Sequence, residues 1–294
     1  MVAESEAALA GGVIAQGLRY VNAWKGKTVV VKFGGSVLDV AGRSTIAEDL
    51  VLLKGSGIDA VLVHGGGPEI TRMLERLGKQ STFVQGLRVT DDETMDVVEM
   101  VLAGRANKSL VSAITQAGGR AVGLSGKDGR MLLARKYEAD VDLGHVGEVQ
   151  AVDPGLVRAL SRDGYIPVIA SIGIGPDGTS YNLNADTAAG ALAIAVGASK
   201  FILLTDVDGV YGDPDGAGPR GEDARALVSE LRAADAEAMI HSGTISRGMI
   251  PKVSACLDAI RGGVPSAHII NGTVPHALLV ELFTERGIGT MLTA

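Results

Sequence analysis

Two short apolar runs empty directly into glycine turns: Thr28-Val29-Val30-Val31-Lys32-Phe33 into Gly34-Gly35, and Ala60-Val61-Leu62-Val63-His64 into Gly65-Gly66-Gly67-Pro68. Runs this short, rich in valine and bounded by glycine, fit strands buried on both faces, which belong in parallel sheets. Consecutive glycines at the exit of such strands let main-chain N–H groups approach an anion that a Cβ would hold off. Lys32 adds a cation at the rim of the first turn. A phosphate or carboxylate ligand at the carboxyl ends of parallel strands is therefore expected.

The same grammar continues along the chain. Strand-like runs at 28–33, 59–63, 121–124, 166–170, 200–205 and 267–270 alternate with helical segments near 44–55, 68–78, 185–197, 224–239, 250–262 and 275–286, with a helix-rich stretch at 91–118. Alternation of this kind predicts an α/β fold: a three-layer sandwich whose central, mainly parallel sheet carries helices on both faces. The segment 131–154, with short β-branched pieces around Gly144-His145-Val146-Gly147, is expected to form a small hairpin excursion. Ahead of the first strand, Leu9, Val13, Ile14, Leu18 and Val21 share one stripe, with Trp24 just beyond, so residues 1–25 read as a separate amphipathic helix. A second sheet half starting at Lys200 puts any lobe junction in or near 185–197.

Composition removes several classes of function. The net charge is −7 and no lysine and arginine cluster appears, which argues against a nucleic-acid surface. Aromatic residues make up 3% of the chain while glycines number 41, so base-stacking platforms are scarce and close main-chain approaches plentiful. Cys256, the single cysteine, excludes an intramolecular disulfide and a cysteine-built zinc site, and reads as a core residue. No stretch reaches the roughly 18 uninterrupted apolar residues of a membrane span. Glu4 and Glu6 stand where a secretory leader carries positive charge, so an unanchored, cytoplasmic protein is expected.

Lys32 lies at the end of a buried strand, where an ammonium needs an anionic partner. The turn beside it matches neither the Gly-x-x-x-x-Gly-Lys-Ser/Thr nor the Gly-x-Gly-x-x-Gly pattern, which weakens both the P-loop and the Rossmann readings. His64 has no serine or cysteine nucleophile signature near it and reads as a structural histidine. Asn182-Leu183-Asn184-Ala185-Asp186 opens a helix with three polar groups where one cap would suffice, leaving capping and ligand positioning both open. Lys252 follows Pro251 in the first turn of a helix, a place the helix dipole makes unfavourable for a cation unless an anion sits there. Thr205-Asp206-Val207-Asp208-Gly209-Val210-Tyr211 lacks the glutamate and glycine spacing of a calcium loop.

Val31 to Gly35, His64 to Pro68, Gly86-Leu87-Arg88-Val89-Thr90, Asn182 to Asp186, Thr205 to Gly209 and Gly248-Met249-Ile250-Pro251-Lys252-Val253 together resemble the amino acid kinase family, in its branch that phosphorylates N-acetyl-L-glutamate. The resemblance runs from about residue 28 to the C-terminus. It implies transfer of the γ-phosphoryl group of ATP to the side-chain carboxylate of N-acetyl-L-glutamate, the second step of arginine biosynthesis, with Mg²⁺ bridging phosphate oxygens and no metal-binding residues of the protein's own. A carboxylate acceptor is already ionised near neutral pH, so no general base is needed and charge neutralisation carries the catalysis. The catalytic residues implied are Lys32, Asp186 and Lys252; the acceptor would meet Gly66, Gly67, Arg88 and Asn182; ATP would meet Gly34, Gly35, Asp206, Tyr211 and Met249.

The N-terminal helix resembles that of arginine-inhibited members, in which such helices interlace dimers into a hexamer, a trimer of dimers. The resemblance then implies an L-arginine effector site at Tyr20, His276, Glu281 and Gly287. It also implies three regions: an oligomerisation helix at 1–27, an acceptor-binding and dimerisation lobe at 28–190, and an ATP-binding lobe with the effector region at 191–294.

Overall fold

The computed structural model describes residues 2–34, 40–212, 226–245 and 248–294, with backbone alone for 2–10 and 40–44. A long helix, α1 (Val2–Trp24), leads through a glycine turn at Gly26 into β1 (Thr28–Phe33). Then follow α2 (Val40–Gly55), β2 (Asp59–His64), α3 (Gly67–Arg76), a two-residue ribbon of β3 (Phe83–Val84) and β4 (Leu87–Arg88), and α4 (Asp92–Glu99). A π-helical segment, Met100–Ala106, joins α4 to α5 (Asn107–Gln116), and β5 (Ala121–Ser125) closes this half. The middle of the chain supplies β6 (Leu132–Lys136), β7 (Val146–Val152), α6 (Gly155–Arg162), β8 (Ile166–Ala170), β9 (Ile172–Ile174) and β10 (Ser180–Leu183). The remainder is α7 (Ala185–Val196), β11 (Lys200–Thr205), β12 (Tyr211–Gly212), β13 (Ala226–Leu227), β14 (Glu230–Arg232), α8 (Ala233–His241), α9 (Ile250–Arg261), β15 (Ala267–Asn271), α10 (Ala277–Phe283) and β16 (Thr290–Thr293).

One eight-stranded sheet runs in the order β14-β16-β15-β11-β1-β2-β8-β5, parallel except where β16 meets β15. Side chains alternate across β1, and the alternation decides where its lysine goes. Val29, Val31 and Phe33 pack with Leu50, Leu110 and Leu278 from α2, α5 and α10 on one face. Val30 packs with Leu192 and Cys256 from α7 and α9 on the other. Lys32 shares the parity of Val30, so its ammonium is delivered to the α7 and α9 side at the carboxyl edge of the sheet. Cys256 is fully buried, and burial pushes its thiol well up, as expected of a core residue.

Two expectations need correction, and one strand was not expected. The 131–154 hairpin forms as β6 and β7, but β9 and β10 close it into a small four-stranded barrel. Of the helix expected near 224–239, residues 224 and 225 lie outside the described residues, 226–232 hold the short strands β13 and β14, and the helix starts only at Ala233. Pairing of β14 with β16 buries Leu231, and that tertiary gain overrides the helical propensity of the alanine, glutamate and arginine around it. The strand β16, antiparallel to β15, had no counterpart in the sequence pattern.

Candidate active site

Asp186 is the hub of a three-residue cluster at the carboxyl edge of the sheet. Its carboxylate lies 2.7 Å from Lys32 Nζ through Oδ1 and 3.6 Å from Lys252 Nζ through Oδ2. Asn184, not Asp186, caps α7: its Oδ1 accepts from the N–H groups of Asp186 (2.8 Å) and Thr187 (3.2 Å). The cap therefore leaves the Asp186 side chain free for the lysines, in a first helical turn whose dipole favours an anion. Burial pushes the Asp186 carboxyl up, but the Lys32 and Lys252 ammoniums outweigh it and hold the group below its ordinary range. Two cations around one carboxylate leave a net positive charge.

Beside this cluster lies a cleft of about 220 Å³ whose lining includes Lys32, Gly66, Gly67, Arg88, Asn182 and Asn184. A Cβ on Gly66 would fall 2.6 Å from Leu102 Cδ2, so any side chain there would displace that buried leucine. Arg88 stacks on Phe83 and donates to Gly67 O (2.9 Å), Thr71 Oγ1 (2.8 Å) and Ser81 Oγ, so its plane is set before any ligand arrives. Asn182 donates from Nδ2 to Thr90 Oγ1 at 3.2 Å. The three polar residues of the 182–186 cluster thus have three separate jobs: one faces the cleft, one caps, one pairs with the lysines.

The residues expected around ATP are less uniformly placed. Gly34 N–H extends the ladder to Leu204 O at 3.3 Å, which spends the donor assigned to phosphate, and Gly35 lies outside the described residues. Asp206 is exposed at the end of β11, while its neighbour Asp208 accepts from Tyr211 Oη (2.7 Å) and Asn271 Nδ2 (2.8 Å). Met249 packs against the main core just before α9. Asp208 and Asn271 belong to this edge and were missed, although Asp208 sits in the same motif as Asp206.

A second cavity, of about 450 Å³, opens at the opposite, amino edge of the strands. Tyr20, Glu281 and Gly287 line it, and so do Trp24, Lys200 and His268, which the sequence reading passed over. Lys200 Nζ donates to His268 Nε2 at 2.7 Å, and His268 Nδ1 donates to Glu281 Oε1 at 2.6 Å. Burial lowers the Lys200 ammonium to about 8. His276 is not in this lining: it holds Asp49 of α2, Nδ1 to Oδ1 2.7 Å, from a left-handed position ahead of α10. A lysine opening the buried strand 200–205 and a histidine inside the apolar run 267–270 are the signals by which Lys200 and His268 could have been found.

His64 is neutral and fully buried, and burial brings its imidazole down to about 4. The unfolded chain takes up that proton near 6.5, so the unfolded state binds more protons between these values and stability falls as pH falls through the window. The loss amounts to about 3 kcal/mol by pH 4. Urea midpoints at pH 7, 5.5 and 4.5 are expected to decline steadily, and His64→Asn to flatten the decline; equal midpoints in the parent protein would contradict it.

The model of the amino acid kinase family matches residues 27–271. A protein of Moorella thermoacetica named acetylglutamate kinase is 48% identical over 291 residues, covering 96% of each chain. Among solved structures, N-acetylglutamate synthase from Neisseria gonorrhoeae, complexed with coenzyme A and N-acetyl-glutamate, aligns with a TM-score of 0.84 at 27% identity, over 96% of this chain and 63% of that one. The same synthase complexed with coenzyme A and L-arginine aligns with a TM-score of 0.78 at 26% identity, over 96% and 65%. This chain thus spans less than two thirds of the synthase. With the parallel sheet, the Gly65–Gly67 turn and the lysine and aspartate cluster in place, the chain belongs to the amino acid kinase family.

Proposed function

We propose that the cleft transfers the γ-phosphoryl group of ATP to the side-chain carboxylate of N-acetyl-L-glutamate, and that the second cavity binds L-arginine as a feedback inhibitor. The observation that carries the reading is the pair of ammoniums, Lys32 and Lys252, held by one buried carboxylate beside a glycine-lined cleft. Phosphoryl transfer spreads charge over the equatorial oxygens of the moving group, and fixed cations placed before reaction stabilise it without reorganisation. Lys32 and Lys252 approach that charge from β1 and α9, and Asp186 keeps both oriented. The N–H groups of Gly66 and Gly67 face the acceptor carboxylate, the Arg88 guanidinium supplies the charge that meets the α-carboxylate, and Asn182 holds the acetamido end.

Magnesium would arrive with the nucleotide rather than on side chains of the protein, and would supply charge neutralisation at the phosphates. Among the described residues no group of three or more His, Cys, Asp or Glu is placed to hold a metal, and no helix is long and apolar enough to cross a membrane. ATP would meet Asp206 and Tyr211 beyond the end of β11 and Met249 ahead of α9. On this reading 28–190 forms the acceptor lobe and 191–294 the nucleotide lobe. Val13, Ile14 and Leu18 are exposed on α1, which suits interlacing of dimers into a hexamer through residues 1–27. The setting is the cytoplasm.

A coupled assay with MgATP and a panel of acceptors tests the assignment. N-acetyl-L-glutamate is expected to exceed free glutamate and aspartate in kcat/KM by about 10²-fold or more, because Arg88 and Asn182 are built to pair with groups that the wrong acceptor lacks or misplaces. Preference for either free amino acid would overturn it.

A further inference from the structure

We propose that His64 and Asn107 are positioning residues of the phosphoryl-transfer site, forming a fixed-tautomer relay that sets the orientation of the Gly65–Gly67 turn. The inference rests on the proposed function for the role of the turn, and on hydrogen bonding alone for the relay. Neither side chain is exposed, and neither lines the cleft.

His64 Nδ1 lies 2.9 Å from Gly65 O. A carbonyl only accepts, so Nδ1 carries the proton and Nε2 is left as an acceptor. Facing Nε2 at 3.1 Å is Asn107 Nδ2, a donor-only nitrogen whose two hydrogens are shared among three acceptors, Nε2 among them. The amide of Asn107 is itself locked against flipping. Its Nδ2 also faces two carbonyls, Val168 O at 2.9 Å and Leu124 O at 3.2 Å, while its Oδ1 accepts from Lys108 Nζ at 3.1 Å. Gly123 makes the room, since a Cβ there would fall 1.8 Å from Asn107 Oδ1. Every link therefore specifies the same proton arrangement.

The consequence passes through one peptide plane. In a trans peptide the C=O and the following N–H point in opposite directions, so tying Gly65 O to the buried imidazole aims the Gly66 N–H away from it. Gly66 lines the cleft and His64 does not, so that direction is the cleft side. From the other side, Leu102 of the π-helical segment packs against Gly66 and stops the plane from rocking. The turn has no side chains of its own to hold it, and glycine would otherwise sample many conformations.

Asparagine ends at the δ position and can still donate to Gly65 O in place of Nδ1, whereas glutamine reaches the ε position and cannot. His64→Gln and Asn107→Leu are expected to lower kcat with N-acetyl-L-glutamate by about tenfold to a hundredfold, with acceptor KM moving far less, while His64→Asn keeps most of the turnover. In ¹⁵N-imidazole spectra of the parent protein, His64 is expected to show Nδ1 protonated and Nε2 bare from pH 8 to 5, and Asn107→Leu to populate the Nε2–H form. An Nε2–H tautomer in the parent protein, or glutamine and asparagine variants equal in kcat, would overturn the relay. The spectrum decides even where a His64 variant folds poorly. A parent protein inactive on N-acetyl-L-glutamate would instead sink the proposed function and leave the tautomer result standing.

Discussion

Replacing Asp186 by asparagine is expected to lower turnover by about 10²- to 10³-fold, the scale seen when a preorganised charge contact is removed from a transition state. Asparagine keeps the shape and the N-terminal position on α7 but supplies no charge. Lys32, 9% exposed with its ammonium 2.7 Å from the lost carboxylate, is left as a buried, unpaired cation. Breaking such a pair from one side costs about 3–5 kcal/mol, and the protein sheds the cost by turning Lys32 out of the cleft. That response removes the cation that the transferring phosphoryl group needs. Lys252→Ala separates the two effects. Lys252 has a side chain 25% exposed, so its loss is expected to cripple turnover with a smaller drop in stability.

The pH dependence has the sign of a depressed carboxylate. Folded Asp186 titrates below its unfolded value, so its stabilisation is complete above about pH 4 and disappears as pH falls through the folded value. Single-turnover rates and urea midpoints for Asp186→Asn, Lys252→Ala and the parent protein check all of this. An Asp186→Asn protein within tenfold of the parent in turnover would end the role of Asp186 as the hub.

The parallel core was legible because burial leaves a plain mark on sequence. Valine runs ending in glycine at 34 and 65–67 mark both the strands and the edge at which a ligand binds, and β1 and β2 match their expected ranges within one residue. Elements whose identity depends on distant partners left no such mark. The short strands β13 and β14 carry helix-forming residues, and only their neighbours β12 and β16 make them strands. Charged residues inside apolar strands were the weakest part of the reading. Lys32 was noticed because a glycine turn follows it, but Lys200 and His268, equally buried, have no turn beside them. Their meaning lies in the register that sets Ile202 opposite His268 and in the packing of α10, which brings Glu281 to the same place. His64 shows the reverse case. A structural histidine was read correctly from the absence of a nucleophile, yet its partner Asn107 is 43 residues away and invisible to local pattern.

Glu281→Gln is expected to raise the arginine concentration for half-inhibition by about 10²-fold or more, whereas His276→Ala leaves it near the parent value. Burial pushes the Glu281 carboxyl up, but the His268 hydrogen bond and the Ile288 N–H (2.8 Å to Oε2) hold it below its ordinary range, so it is an anion. Each carboxylate oxygen keeps a lone pair beyond those contacts, enough for a guanidinium to bind with two parallel N–H donors. On the proposed reading the Lys200 ammonium is the counterpart for the α-carboxylate of arginine; Trp24 has its ring 5.0 Å from that ammonium. Glutamine keeps the volume and one acceptor but loses the charge, and truncating a buried charge pair of this kind costs about 2–5 kcal/mol. His276 pairs with Asp49 and Glu48 on α2 and contributes nothing to the cavity wall. Arginine titrations by calorimetry, run beside inhibition curves, separate lost binding from lost coupling. Relief of inhibition by His276→Ala as strong as that by Glu281→Gln would move the effector contact to the α2 side and break the assignment of the cavity.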